Sequence, residues 1–199
     1  MTQRTVVSRS PTLTLVVAFV AVFLVQRVVA LLQIPFAFAL APPVGDRPWT
    51  LLTSVYAHLS VGHLLANVAV LLLVGLYLER RTSRLRFHAF FLATGALAGL
   101  AEVWVSGLLG PGPGVAVLGA SGGIAGLVGY VLAGNRMSDT LLDRTPLSPR
   151  AQLGVFVVVA GAVTVVTAGP GVALIAHFTG LLIGLAAGRA HLLRPSGSV

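Results

Sequence analysis

The chain has 199 residues, 56% of them hydrophobic and only 9% charged, with a mean hydropathy of +0.96. A soluble domain carries roughly 25% charged residues, so a single globule in water does not hide this much apolar surface. The net charge of +8 rests on thirteen Arg and no Lys, and these punctuate apolar runs, which favours a membrane over nucleic acid as the partner. With no Cys, disulfides, thiolate catalysis and Cys-ligated metals are excluded.

Six apolar runs qualify, or nearly qualify, as spans of about 20 residues. They cover 12–32, Val61–Leu78, 87–108, 115–132, 151–168 and 171–188. Gly110-Pro-Gly-Pro-Gly114 and Gly169-Pro170 break the pattern between them. The reading is an all-α polytopic bundle of six transmembrane helices at 12–189, with tails at 1–11 and 190–199. Arg4, Arg9, Arg80, Arg81, Arg84, Arg86, Arg136, Arg144, Arg150, Arg189 and Arg194 fall on one side of it, whereas loops on the other side hold only Arg47. Arg27, inside the first run, is expected to snorkel outward. Positive charge stays inside, so both termini are expected in the cytoplasm. A cleaved signal peptide, ending at Ala37-Phe-Ala39 or Ala39-Leu-Ala41, fits less well because the run is long and five more follow.

Polar residues within spans are costly, and each one is a functional candidate. The outer halves of the runs hold His63, Asn67, Glu102, Ser121 and His177. A fourth helix from Ser121 to Gly134 rises only about 21 Å against a core of about 30 Å, which sinks Ser121 roughly 9 Å below the outer surface. His177, six residues into the last run, comes to about the same depth. His63 and Asn67, four apart, share one face of the second span. A serine needs a base, and imidazole titrates near neutrality. Ser121 as nucleophile, His177 as base, and the Ser121 amide, His63 and Asn67 as oxyanion donors form a candidate acyl-transfer set that needs no metal or cofactor. Gly180, Gly184 and Gly188 share the His177 face of the last span and let it approach the fourth closely.

These residues resemble the rhomboid family of intramembrane serine proteases, over about 48–188. The resemblance rests on Trp49-Thr-Leu-Leu-Thr-Ser-Val-Tyr-Ala-His58 in the first loop, Gly62-His63-Leu-Leu-Ala-Asn67, Leu78-Glu79-Arg-Arg, Gly119-Ala-Ser121-Gly122, and Ala176-His177-Phe-Thr-Gly180-Leu-Leu-Ile-Gly184. It implies the same roles for Ser121, His177, His63 and Asn67, with Gly119, Gly122, Gly180 and Gly184 in support. It implies single-span membrane proteins with helix-breaking segments as substrates, cut from the extracytoplasmic side of a prokaryotic plasma membrane. Two positions depart from the family pattern: Thr50 stands where Arg is usual, and Ala125 where an aromatic often packs on the base. Positioning of His177 must then come from elsewhere.

His58 is expected to be a loop residue that hydrates or shapes the cavity, His88 and His191 to be solvated, and Glu79 to be structural, bonding the end of the second span and the arginines of the loop after it. Glu102 has three open readings: protonated, paired with Arg27, or touching the cavity. A non-cleaving, client-binding relative is the main rival, and it usually lacks the serine or the histidine. A transporter would show repeats and polar groups through both leaflets. Other intramembrane proteases lack their motifs here: there is no His-Glu-x-x-His, and Asp46, Asp139 and Asp143 fall in loops. Oligomeric state is not legible.

Overall fold

Three helix starts follow directly from local chemistry. Ser10, Ser60 and Ser148 each accept a hydrogen bond from a first-turn amide, of Leu13, His63 and Ala151 respectively, which satisfies a donor the helix cannot. Pro11 and Pro149 follow the first and third of these caps, where their missing N–H costs nothing. A computed structural model describes residues 10–34, 37–109, 115–135, 138, 140, 147–169 and 171–194. Among them are seven α-helices and no strand: α1 Pro11–Leu31, α2 Thr50–Tyr56, α3 Val61–Leu78, α4 Arg84–Leu109, α5 Ser121–Ala133, α6 Pro149–Val166 and α7 Leu174–Arg189.

Four of these, α1, α3 with its short 3₁₀ extension, α4 and α6, are long and apolar enough to cross a membrane; α5 and α7 are shorter apolar helices. The six apolar runs thus all appear as helices. The fourth helix starts at Ser121 as expected, the third starts three residues before its run, at Arg84, and the last starts at Leu174 rather than at 171. His177 is therefore the fourth residue of its helix, not the seventh of the run, and three non-helical residues carry the chain down to it. The first-loop stretch after Trp49, expected as loop, contains the seven-residue helix α2. The Gly-Pro break at 110–114, Pro170, Arg4, Arg9, Arg136, Arg144, Asp139, Asp143 and residues 195–199 lie outside the described residues.

The short helix α5 is the centre of the molecule, packed by α3, α4 and α7 and touched by α2. Its glycines meet those of α7 so closely that a Cβ on Gly180 would fall against the Gly122 carbonyl, and one on Gly184 against that of Gly126. This backbone-to-backbone approach is what small residues allow where apolar solvent supplies no drive for association. A core of Leu15, Phe19, Leu71, Phe87, Phe91 and Leu127 fills the opposite side of α5. α1 and α6 lie at the periphery. Their outward faces, and those of α3 and α4, present bare apolar side chains such as Leu73 (78% exposed), Leu108 (86%) and Val158 (70%). Such faces call for an apolar solvent.

Glu79 fixes the far end. Its carboxylate accepts from Ser10 Oγ (2.7 Å) and from Thr12 N (3.1 Å), tying the end of α3 to the start of α1. Its structural role is as expected, but these partners belong to α1 rather than to the arginines that follow it. Nearby, Tyr130 Oη of α5 accepts from Leu193 N at 3.1 Å, and Arg86 donates to the Arg194 carbonyl.

Candidate active site

The chain reaches α5 through an extended segment that has no helix of its own. Backbone there must find partners if it is to lie at membrane depth. It does: Leu40 and Val117 exchange both N–H···O bonds at 2.8 Å, and Gly119 N donates to Ser54 O at 2.8 Å. Gly119 has φ +134, a region open to glycine and strained for other residues. The next two steps place Ser121 at the first position of α5, with no side chain capping that helix.

Gly119 also makes room. A Cβ there would lie 2.8 Å from His63 Cε1, 3.0 Å from His63 Nε2 and 3.8 Å from Ser121 Oγ. The imidazole edge and the hydroxyl thus border one small space over a bare backbone. His63 Nδ1 accepts from Leu59 N at 3.4 Å, which leaves the proton on Nε2, the atom facing that space. Asn67, buried one turn along α3, donates from Nδ2 to the His63 carbonyl at 2.9 Å.

Behind His63 sits His58, wholly buried, with its ring 5.2 Å from His63 and 5.1 Å from Phe19. Its Nδ1 donates to Tyr56 O at 3.0 Å, and its amide donates to Gln26 Oε1 at 3.0 Å. Among the described residues His58 Nε2 has no hydrogen-bond partner. Burial pushes this imidazole down to about 4; His63 adds to the shift and the bond to Tyr56 opposes it. His58 shapes the cavity by backing His63 rather than by lining it. Gln26 was not singled out from the sequence, although an amide inside an apolar run is itself a signal.

His63, Asn67, Ser121 and His177 all line one cavity of about 1030 Å³, with walls that are mainly apolar. Ala125 and Val128 of α5, and Val163 and Thr164 of α6, lie along it. No hydrogen bond joins Ser121 to His177 among the described residues. Gly122, Gly180 and Gly184 lie at the α5–α7 seam behind the cavity.

Of the three readings open for Glu102, the structure bears out contact with the cavity and not the pairing with Arg27. Its side chain is buried and borders the same cavity. Oε2 accepts from Ala176 N at 2.8 Å, and Oε1 accepts from Ser106 Oγ at 3.1 Å. Arg27 lies elsewhere, with its guanidinium 4.8 Å over the Phe23 ring. Thr50 is buried and donates to Arg47 O at 2.7 Å, while Trp49 Nε1 reaches Ala37 O at 3.0 Å, so the first loop is held through its backbone carbonyls.

A family model for the Rhomboid domain matches residues 45–194. RHOMBOID-like protein 4 of Arabidopsis thaliana is 31% identical over 153 residues, which is 76% of this chain and 36% of that protein. Rhomboid-related protein 3 of Homo sapiens is 35% identical over 92 residues, 46% of this chain and 21% of that protein. The match thus spans about a third of the plant relative and a fifth of the human one.

Proposed function

The chain belongs to the rhomboid family and is an integral membrane protein, and from that premise we propose that it is a serine endopeptidase cutting other membrane proteins in or near their spans. The observation that carries this is the space over Gly119, bordered by Ser121 Oγ and by the Nε2 edge of His63, two side chains that also line the cavity bordered by His177.

In this reading Ser121 Oγ attacks the scissile carbonyl carbon as His177 takes its proton. The carbonyl oxygen becomes an oxyanion held by His63 Nε2–H, the Ser121 amide and the Asn67 side chain. His177 then passes the proton to the departing amine, and water hydrolyses the ester left on Ser121. Ser121 and His177 do not share a hydrogen bond in the structure, so the dyad closes as substrate fills the site. That same gap favours the alternative, a rhomboid-like protein that binds membrane clients without cutting them.

The proposed setting has six spans, both termini in the cytoplasm of a prokaryotic cell, and the cavity opening outward. α5 and α7 are too short to cross a core of about 30 Å alone, and this setting accommodates them with their starts below the outer surface. The proposed substrates are single-span proteins whose helices break easily.

The test is cleavage of a tagged single-span substrate in proteoliposomes by wild type, Ser121→Ala and His177→Ala, with a serine-directed fluorophosphonate as a substrate-free readout. Cleavage by wild type alone supports the protease. Equal cleavage by all three rejects this site. Wild type that neither cuts nor labels supports client binding.

A further inference from the structure

α7 begins without a side-chain cap: Ala173 precedes it, and no local hydroxyl or carboxyl reaches its first-turn amides. Helices normally leave these donors to a cap or to water. Here the carboxylate of Glu102, 74 residues away on α4, takes the amide of Ala176 at 2.8 Å. Ala176 is 4% exposed and Glu102 is 7% exposed, so the bond is shielded from water. A carboxyl oxygen that accepts from a helix amide in such a place satisfies a donor that is costly to leave unpaired. Ser106, one turn further along α4, donates to the second oxygen and fixes how the carboxylate is turned.

Ala176 is the residue before His177. Whatever holds that amide sets the height and rotation of the first turn of α7, and so the direction of the imidazole. The side chain on α5 nearest the task is Ala125, a methyl group on the cavity wall that supplies no surface on which a ring could be oriented. The glycine seam fixes how close α7 lies to α5 from Gly180 onward; in the turn above it the Ala176 carbonyl lies 3.8 Å from where a Cβ on Gly122 would stand, an ordinary contact rather than a backbone-to-backbone lock. We infer that Glu102 is the positioning residue for His177: it pins the first turn of α7 through the Ala176 amide and so aims the base at Ser121.

This rests on the protease reading, and its test separates the two. Glu102→Ala, Glu102→Gln and, as a control, Glu79→Ala are compared in proteoliposomes for kcat, KM, fluorophosphonate labelling rate and melting temperature. Glu79 also joins two helices through a carboxylate but lies far from the cavity. Loss of aim by about 1 Å costs about 10²-fold, so Glu102→Ala is expected to lose that much in kcat and labelling rate with KM little changed. Glutamine still offers an oxygen to the Ala176 amide, and it is expected to recover about tenfold of the loss. Glu79→Ala is expected to melt earlier while its folded fraction labels at the wild-type rate.

Labelling of Glu102→Ala as fast as wild type overturns the inference and leaves the protease standing. So does glutamine failing as badly as alanine, which would make charge, not the hydrogen bond, the requirement. A loss in Glu102→Ala explained entirely by a smaller folded fraction, as in Glu79→Ala, also overturns it. Wild type that neither cuts nor labels sinks both readings together.

Discussion

Two helix starts border the same cavity, that of α5 at Ser121 and that of α7 at Leu174, and neither has a cap of its own. α1, α3 and α6, by contrast, each carry a serine cap. The two uncapped starts differ in what has replaced the cap. At α5 the preceding residue is Ala120 and, among the described residues, no side chain caps the first amides, which in the proposed mechanism face an oxyanion. At α7 a carboxylate from a distant helix occupies an amide in the first turn. In the proposed mechanism one start keeps donors available for charge that develops during reaction, and the other is pinned so that its neighbour is held still. On that proposal, uncapped helix ends in one small bundle serve opposite needs.

The strongest way to break this comparison is to part the two helices. Gly184→Leu places a side chain against the Gly126 carbonyl, where backbone already lies too close for a Cβ. Overpacking costs about 1–3 kcal/mol even among side chains that can shift, and here the obstacle is main chain, so about 3 kcal/mol or more is expected. Melting in detergent should drop sharply and labelling of Ser121 should vanish. A variant that melts and labels like wild type would mean that the seam does not hold the two starts together.

Gly119→Ala tests the open start alone. The substitution strains the backbone by about 1–3 kcal/mol at φ +134 and drives a methyl group into the His63 ring. Labelling should fall by about 10²-fold, more than the loss of folded protein explains, because the oxyanion space itself is filled. Ser60→Ala then acts as a ruler for an ordinary cap. It should cost about 1 kcal/mol of stability, and labelling per folded molecule should move far less than in Gly119→Ala.

Much of this was legible. The apolar runs located every long helix, because lipid-facing helices are apolar all round and need no periodicity to be seen. Ser121 as a helix start followed from the glycines before it and from the shortness of the run behind it. Three things were not legible, each for a physical reason. α2 is seven residues long, too short for a periodic signal to separate helix from loop. The start of α7 lies three residues later than its apolar run, since 171–173 are apolar without being helical. Glu102 stood out as a charge in a span, but its partner is a backbone amide, and no side chain in the sequence marks where a main-chain donor will be left over. Gln26 differs: an amide inside an apolar run marks it in the sequence, and only its partner, the amide of His58, is invisible there.

The smallest expected effect lies on the open side of the comparison, behind His63. His58 is buried and its ring sits near 4, against about 6.5 for a histidine in the unfolded chain. Between those values the unfolded chain binds a proton that the folded one refuses, so stability rises with pH across that window. Above about 6.5 both states hold a neutral ring and the contribution is constant. Acidifying from about 6.5 towards 4 should therefore lower the melting temperature, and His58→Gln, which has no titrating ring, should show a shallower fall. The amide of His58 keeps its bond to Gln26 in the variant, so a large loss of stability at neutral pH is not expected. If both proteins lose stability along the same curve, His58 is not the group that resists protonation, and the support for His63 must come from packing against Phe19 and Tyr56 rather than from a neutral neighbouring ring.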